Sequence, residues 1–201
     1  MGAPPTRVVG IVLAAGAGTR AGGPKALRLD GDRMPWLARA TTALREGGCA
    51  AIIVVLGAEA DRARGFVPPD VMVVVASEWA DGLSASLKAG LAAAQHFDDA
   101  TAALITLVDL PGLPSAAVAR LLAEPPTVTT LRRATYAGRP GHPVVIGRDH
   151  WVAAAAGAEG DHGAGSYLKA QGAELVDCSD LWDGADVDGS ATEESDAAPP
   201  A

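Results

Sequence analysis

Four short runs of apolar, largely β-branched residues recur along the first half of the chain, at residues 7–13, 51–56, 71–76 and 102–108. None alternates apolar with polar residues. Runs of this kind fit strands buried on both faces of a parallel sheet. Between them lie helical patterns. Residues 35–46 open on Pro35 and stop at Gly47-Gly48, the usual asymmetry of helix ends. Residues 83–96 carry Leu83, Leu87 and Leu91 at spacing four, and residues 114–123 stop before Pro125-Pro126. The alternation predicts an α/β domain of three layers, with a doubly wound, mostly parallel sheet and right-handed crossovers.

After Pro126 the pattern changes. Residues 127–131 and 143–146 read as a strand pair, with 136–141 as the loop between them. Residues 166–171 read as a short helix and 174–178 as a last strand. No internal repeat or linker divides the chain, so residues 1–188 are expected to form one domain. Residues 189–201 are polar, end in prolines and are expected to be disordered. The chain is 49% hydrophobic but only 4% aromatic, with 43 Ala and 24 Gly, which predicts a core of closely packed small residues.

Net charge is −8, and the sixteen cations are thirteen Arg and three Lys, at 25, 88 and 169. They form no basic stripe with interleaved aromatics, so a nucleic-acid partner is not expected. No stretch reaches the 18 or so apolar residues of a membrane helix. Cys49 and Cys178 have neither ligand spacing nor a disulfide framework, and are expected as reduced, buried thiols. Arg7 followed by residues 8–15 mimics a secretory signal, and Met1-Gly2 a lipidation signal. The continuation through Lys25 reads better as a functional loop, so a cytoplasmic protein is expected. A chain this acidic must hold phosphates locally, with a few placed cations, backbone N–H groups or a metal.

That loop, Leu13-Ala14-Ala15-Gly16-Ala17-Gly18-Thr19-Arg20-Ala21-Gly22-Gly23-Pro24-Lys25, follows the first strand directly. Ligands of open α/β sheets bind outside the C-terminal strand ends. Glycines let the backbone approach a phosphate and donate N–H groups to it. Arg20 and Lys25 add a bidentate and a point cation. Gly16-x-Gly18-x-x-Ala21 also fits a dinucleotide fingerprint, although Gly22-Gly23-Pro24 interrupts the helix that should begin there. A P-loop would need G-K-[ST], which is missing. Asp109 closes the fourth run, where a carboxylate would sit beside the first-strand loop and could hold Mg²⁺ with substrate phosphates.

The Leu13–Lys25 segment resembles the signature of MobA-like nucleotidyltransferases, and the LAAG form is most similar to the molybdenum cofactor cytidylyltransferase branch. The likeness runs from about residue 7 to 188. It implies a Rossmann-like nucleotidyltransferase fold. Glu78-Trp79-Ala80-Asp81-Gly82-Leu83-Ser84-Ala85-Ser86-Leu87 resembles the family segment beside the nucleobase and sugar, implicating Ser77, Gly82 and Ser84, although Asp81 also suits a helix cap. Val108-Asp109-Leu110-Pro111 resembles the family's metal-binding strand end, and Asp186-Val187-Asp188 the element whose last carboxylate helps hold that metal. Gly138-Arg139-Pro140-Gly141-His142-Pro143 resembles the segment placed against the acceptor. So does Gly160-Asp161-His162-Gly163-Ala164, although Gly165 stands where relatives often carry Arg. Trp36, Trp79, Trp151 and Trp182 share no spacing and are expected in core or rim packing.

The resemblance implies transfer of a nucleoside monophosphate from an NTP, CTP first, to a phosphorylated acceptor such as a molybdopterin-type cofactor. Leu13, Ala14, Ala15, Gly16, Gly18, Arg20 and Lys25 would bind the nucleotide, and Asp109 and Asp188 would hold Mg²⁺. Arg20, Lys25 and Asp109 would be catalytic, through positioning and charge neutralisation. A molybdoenzyme is the partner so implied. Three other readings remain open: a guanylyltransferase; a flavin- or NAD(P)H-dependent oxidoreductase, since some chains of this fold, nicotine blue oxidoreductase among them, carry a redox assignment; and a non-catalytic chaperone that inserts the cofactor into an enzyme.

Overall fold

The computed structural model describes residues 7–19 and 22–187; Arg20, Ala21, Asp188 and the 189–201 tail lie outside it. Within these residues the strands are β1 (Arg7–Ala14), β2 (Ala51–Leu56), β3 (Met72–Val75), β4 (Ala100–Leu107), β5 (Leu131–Tyr136), β6 (Arg139–Gly147) and β7 (Glu174–Asp177). The helices are α1 (Trp36–Glu46), α2 (Ala60–Ala63), α3 (Leu83–Ala94), α4 (Ser115–Leu122), α5 (Trp151–Ala156) and α6 (Gly165–Ala170). One sheet takes the order β3-β2-β1-β4-β6-β5-β7. Strands β1 to β4 run parallel, β6 is antiparallel to both neighbours, and β7 is parallel to β5. This is the expected three-layer, doubly wound, mostly parallel Rossmann-like architecture.

The alternation of side chains along β1 builds both layers at once. Val8, Val12 and Ala14 pack with Leu37 and Leu44 of α1 and Val118 and Leu121 of α4. Val9, Ile11 and Leu13 face Leu87 and Leu91 of α3, Trp151 of α5 and Leu168 of α6. Small residues bring the helices close. A Cβ on Gly10 would lie 2.9 Å from Leu44, and one on Gly90 would lie 2.8 Å from Ile11. The chain goes to opposite sides of β1, to β2 on one and β4 on the other, which opens a crevice at their C-terminal ends.

Three expectations change. The third run is an edge strand rather than a strand buried on both faces: Met72 is 40% and Val75 43% exposed. The 127–131 strand does not form. Thr127, Thr129 and Thr130 exchange hydroxyl and amide bonds in a turn, and β5 begins at Leu131. The 136–141 loop is mostly strand. Ala137 and Gly138, both at positive φ, make a two-residue hairpin turn, and Arg139 already pairs with Tyr136. Pro140 pairs with β5 alone, so its missing N–H costs no bond on the β4 side. No helix among the described residues is long and apolar enough to cross a membrane.

Candidate functional site

The crevice at the strand ends is a cleft of about 580 Å³. Its floor is the end of β1 and the loop after it. Leu13, Ala14, Ala15, Gly16, Gly18 and Lys25, all expected there, line it. Gly18 takes φ +59, and a Cβ on it would lie 1.9 Å from the Gly23 carbonyl oxygen. Only glycine permits that turn. The Gly23 N–H then donates to the Gly18 carbonyl at 3.0 Å. The Ala58 N–H ties down Ala15 O at 2.9 Å, and the Val108 N–H ties down Leu13 O at 3.1 Å. The loop therefore leaves a well-anchored strand end.

Asp109 lies two residues past β4, on the opposite wall. Its Oδ2 accepts from Lys25 Nζ at 2.9 Å, with side-chain exposures of 20% and 16%. Its Oδ1 is buried and has no hydrogen-bond partner among the described residues. A buried carboxylate oxygen left unpaired is costly, so the site suits one more donor or cation. The Asp109 carbonyl accepts from Val187 N–H at 3.0 Å, which brings the end of the described chain to this wall. Among the described residues no three His, Cys, Asp or Glu side chains cluster as a metal site.

The third wall is the start of α3. Gly82 takes the cap position at φ +99, and no side chain caps the helix, so Asp81 does not cap it. A Cβ on Gly82 would lie 2.6 Å from the Gly160 backbone, and Ser84 N–H donates to Gly160 O at 2.9 Å. Gly82 thus lets the 159–164 loop press against the helix start. Helical phase decides which serine faces the cleft. Leu83 and Ser86 line it, whereas Ser84, buried to the same 4% exposure as Ser86, does not. Ser77 is exposed beyond the edge strand and is not a lining residue either. Trp79, expected in core or rim packing and within the segment likened to the nucleobase element, is a wall of the cleft. Trp36 and Trp151 are core residues, 5% and 1% exposed, and Trp182 packs edge-on to Tyr136.

A second cavity of about 330 Å³ adjoins the first and shares Leu13, Leu83 and Asp161 with it. Aliphatic side chains make half of its lining, Leu87, Ile105, Val144 and Leu168 among them. His142, the expected acceptor residue, lines it, as do Asp161, His162 and Gly163. Burial, and next the Arg133 guanidinium, pull the His142 imidazole from 6.5 down to about 4, against a smaller upward pull from Asp109. It is therefore neutral at physiological pH. Tyr136 holds this stretch by donating its hydroxyl to His142 O at 2.8 Å.

Arg133 is the lining residue that sequence reasoning missed. Neighbours on a strand face opposite ways. Arg132 is 7% exposed, bonds the carbonyls of Leu121 in the last turn of α4 and Glu124 just after it, and pairs with Glu124 and Glu174. Arg133 turns into the second cavity, with its Nη1 about 3.5 Å from where a Cβ on Gly165 would stand. A cation thus stands beside Gly165, but it comes from β5. Periodicity would have placed both arginines on opposite faces had the strand been read to begin at Leu131. Cys49 and Cys178 are buried as expected, and burial pushes the Cys49 thiol up to about 12.

The family model described as the MobA-like NTP transferase domain matches residues 10–175. Nicotine blue oxidoreductase of Paenarthrobacter nicotinovorans is 37% identical over 197 residues, covering 90% of this chain and 92% of that protein. The crystal structure of Rv0371c from Mycobacterium tuberculosis H37Rv superposes with a TM-score of 0.71 at 28% identity, over 86% of this chain and 87% of that one. Its complex with manganese superposes with a TM-score of 0.67 at 26% identity, over 86% and 88% of the two chains.

Proposed function

We propose a function from one premise: the chain belongs to the MobA-like NTP transferase domain family. The large cleft takes a nucleotide by its phosphates, and the reaction is reduction of a flat, conjugated acceptor at the expense of NAD(P)H. The observation that carries the redox reading is the 37% identity to an oxidoreductase across nine-tenths of both chains. This reverses the order of the sequence-based expectation, in which nucleotidyl transfer stood first.

The residues divide the work as follows. The backbone from Leu13 to Gly18 receives the nucleotide, with Gly16 and Gly18 allowing close approach to phosphate. Lys25 supplies the cation, together with Arg20, and Asp109 holds the Lys25 ammonium in place. Gly82 and Ser86 line this cleft on the side of α3. The aliphatic side chains of the inner cavity suit a planar ring. Leu13 and Leu83 belong to both chambers, so the two reactants would meet against them. When bound, reduced nicotinamide supplies a hydride, and a proton from water balances the charge on the acceptor. The neutral His142 would orient that acceptor by hydrogen bonding and, being uncharged, would not act as its general acid.

Two observations favour a second reading, nucleotidyl transfer from CTP to a phosphorylated, molybdopterin-type acceptor. The unpaired Asp109 Oδ1 fits a divalent cation, and a relative has been crystallised with manganese. Asp109, with Asp188, would hold Mg²⁺ or Mn²⁺, which when bound neutralises phosphate charge. Lys25 and the glycine loop would keep the triphosphate in line for attack by an acceptor oxygen, with pyrophosphate leaving.

A paired assay decides. The purified protein is given NADPH with a quinoid dye and, separately, CTP or GTP with Mg²⁺ or Mn²⁺ and a phosphorylated pterin. Dye-dependent loss of the dihydronicotinamide absorbance without pyrophosphate release is the expected result. Pyrophosphate release with no NADPH oxidation would replace the first reading by the second.

A further inference from the structure

The inner cavity contains a cation whose charge nothing in the described structure answers. A guanidinium has five N–H donors. Arg133 uses Nε to donate to the Gly141 carbonyl at 3.2 Å, and its two Nη groups make no hydrogen bond among the described residues. Arg133 forms no ion pair there either, although its neighbour Arg132 forms two. Asp161 lines the same cavity but is exposed and beyond ion-pair distance. Burial lowers the Arg133 guanidinium from its ordinary value with no carboxylate to offset it.

The rest of the chamber narrows the choice of ligand. Half of its lining is aliphatic, its volume is about 330 Å³, and His142 beside Arg133 is neutral. Arg133 is paired across the sheet with Val144, and both line the cavity with His142. The Nε bond to Gly141 holds the guanidinium plane, and Nη1 lies beside Gly165. A guanidinium held this way offers a fork that matches a planar oxyanion bidentately.

We propose that Arg133 is the selectivity residue of the inner cavity, where it receives an oxyanion carried on a flat ring while the aliphatic walls hold the ring. The proposal rests on the reading that this cavity takes the second substrate, and it names that substrate's class: a planar aromatic or quinoid molecule with a carboxylate or ring-bound oxide.

The test uses two ligands of one shape, pyridine-3-carboxylate and pyridine-3-carboxamide, with inorganic phosphate as a third arm. Dissociation constants are measured without nucleotide for the wild type, Arg133→Gln and Arg133→Lys, and melting midpoints report folding. The wild type should bind the carboxylate about ten-fold or more tightly than the amide, as a charge-assisted pair predicts. Arg133→Gln should bring the carboxylate to the amide's affinity and leave the amide's own affinity unchanged. Arg133→Lys should keep part of the preference and, should the Gln variant fail to melt cooperatively, carries the comparison. Equal binding of both ligands by the wild type, or a preference that survives in the Gln variant, overturns the proposal. Phosphate binding as tight as the carboxylate overturns its ring component. Because no turnover is read, a failure of the redox reading leaves a positive result standing. Conversely, a protein that oxidises NADPH with no carboxylate preference loses only this proposal.

Discussion

Replacing Gly18 by Ala separates the nucleotide loop from the fold beneath it. The new Cβ would lie 1.9 Å from Gly23 O, where ordinary contact begins at 3.4 Å, so the two must part by about 1.5 Å. That movement breaks the 3.0 Å bond from Gly23 N–H to Gly18 O. An alanine at φ +59 costs about 1–2 kcal/mol, and the lost bond about 1 kcal/mol more. The binding conformation therefore rises by about 2–3 kcal/mol. Residues 16–19 are exposed or half-buried and belong to neither core cluster, so the loop can relax while the sheet stays intact. A binding-competent fraction reduced by that energy weakens apparent affinity by about 30- to 140-fold. Titration calorimetry with NADPH and with CTP should show this loss, with the melting midpoint lowered by less than about 4 °C. Affinity within three-fold of wild type for a nucleotide that the wild type binds would refute the loop assignment.

Other expectations concern the two walls and the hairpin. Lys25→Gln should weaken NADPH and CTP binding alike by about ten-fold or more, measured by the same titration. Asp109→Asn should leave dye-dependent NADPH oxidation within ten-fold of wild type, whereas a nucleotidyltransferase would lose its turnover. Arg132→Met should cost about 3 kcal/mol in a urea titration, because the Leu121 and Glu124 carbonyls lose their donor, while Arg133→Gln costs under about 1 kcal/mol. His142 has a folded value near 4 against 6.5 unfolded, so its contribution is fully present above pH 6.5 and is lost as pH falls towards 4. Relative to His142→Asn, the wild type should therefore lose at most about 3 kcal/mol over that window. An unfolding free-energy difference that stays flat from pH 7 to 4 would contradict the burial of a neutral imidazole.

The half of the fold that carries the cleft was legible because β1, β2 and β4 are buried on both faces, which leaves unbroken apolar runs. The third run looked the same in sequence but lies at the sheet edge, a matter of strand order that periodicity does not carry. The second half was harder. Arg139-Pro140-Gly141 carries loop-type residues, and only its one-sided pairing in β6 makes it strand. The short α2 and α5 passed unnoticed, α5 being a run of alanines behind Trp151. At the site, glycine spacing and the strand-end aspartate pointed to the walls of the cleft. The choice of Ser86 over Ser84 followed from helical phase and could have been read. Arg133 could not be told from Arg132 without the strand boundary. Arg20 and Asp188 remain proposals, outside the described residues.

The central claim is that the cleft between the Gly18 loop, Lys25 and Asp109 holds a nucleotide by its phosphates. Calorimetric titration of NADPH into the wild type and the Lys25→Gln variant tests it most directly. One-to-one binding by the wild type, weakened at least ten-fold in a variant that still melts cooperatively, is the predicted result. Binding that is the same in both proteins, or a wild type that takes up neither NADPH nor any nucleoside triphosphate, would contradict it.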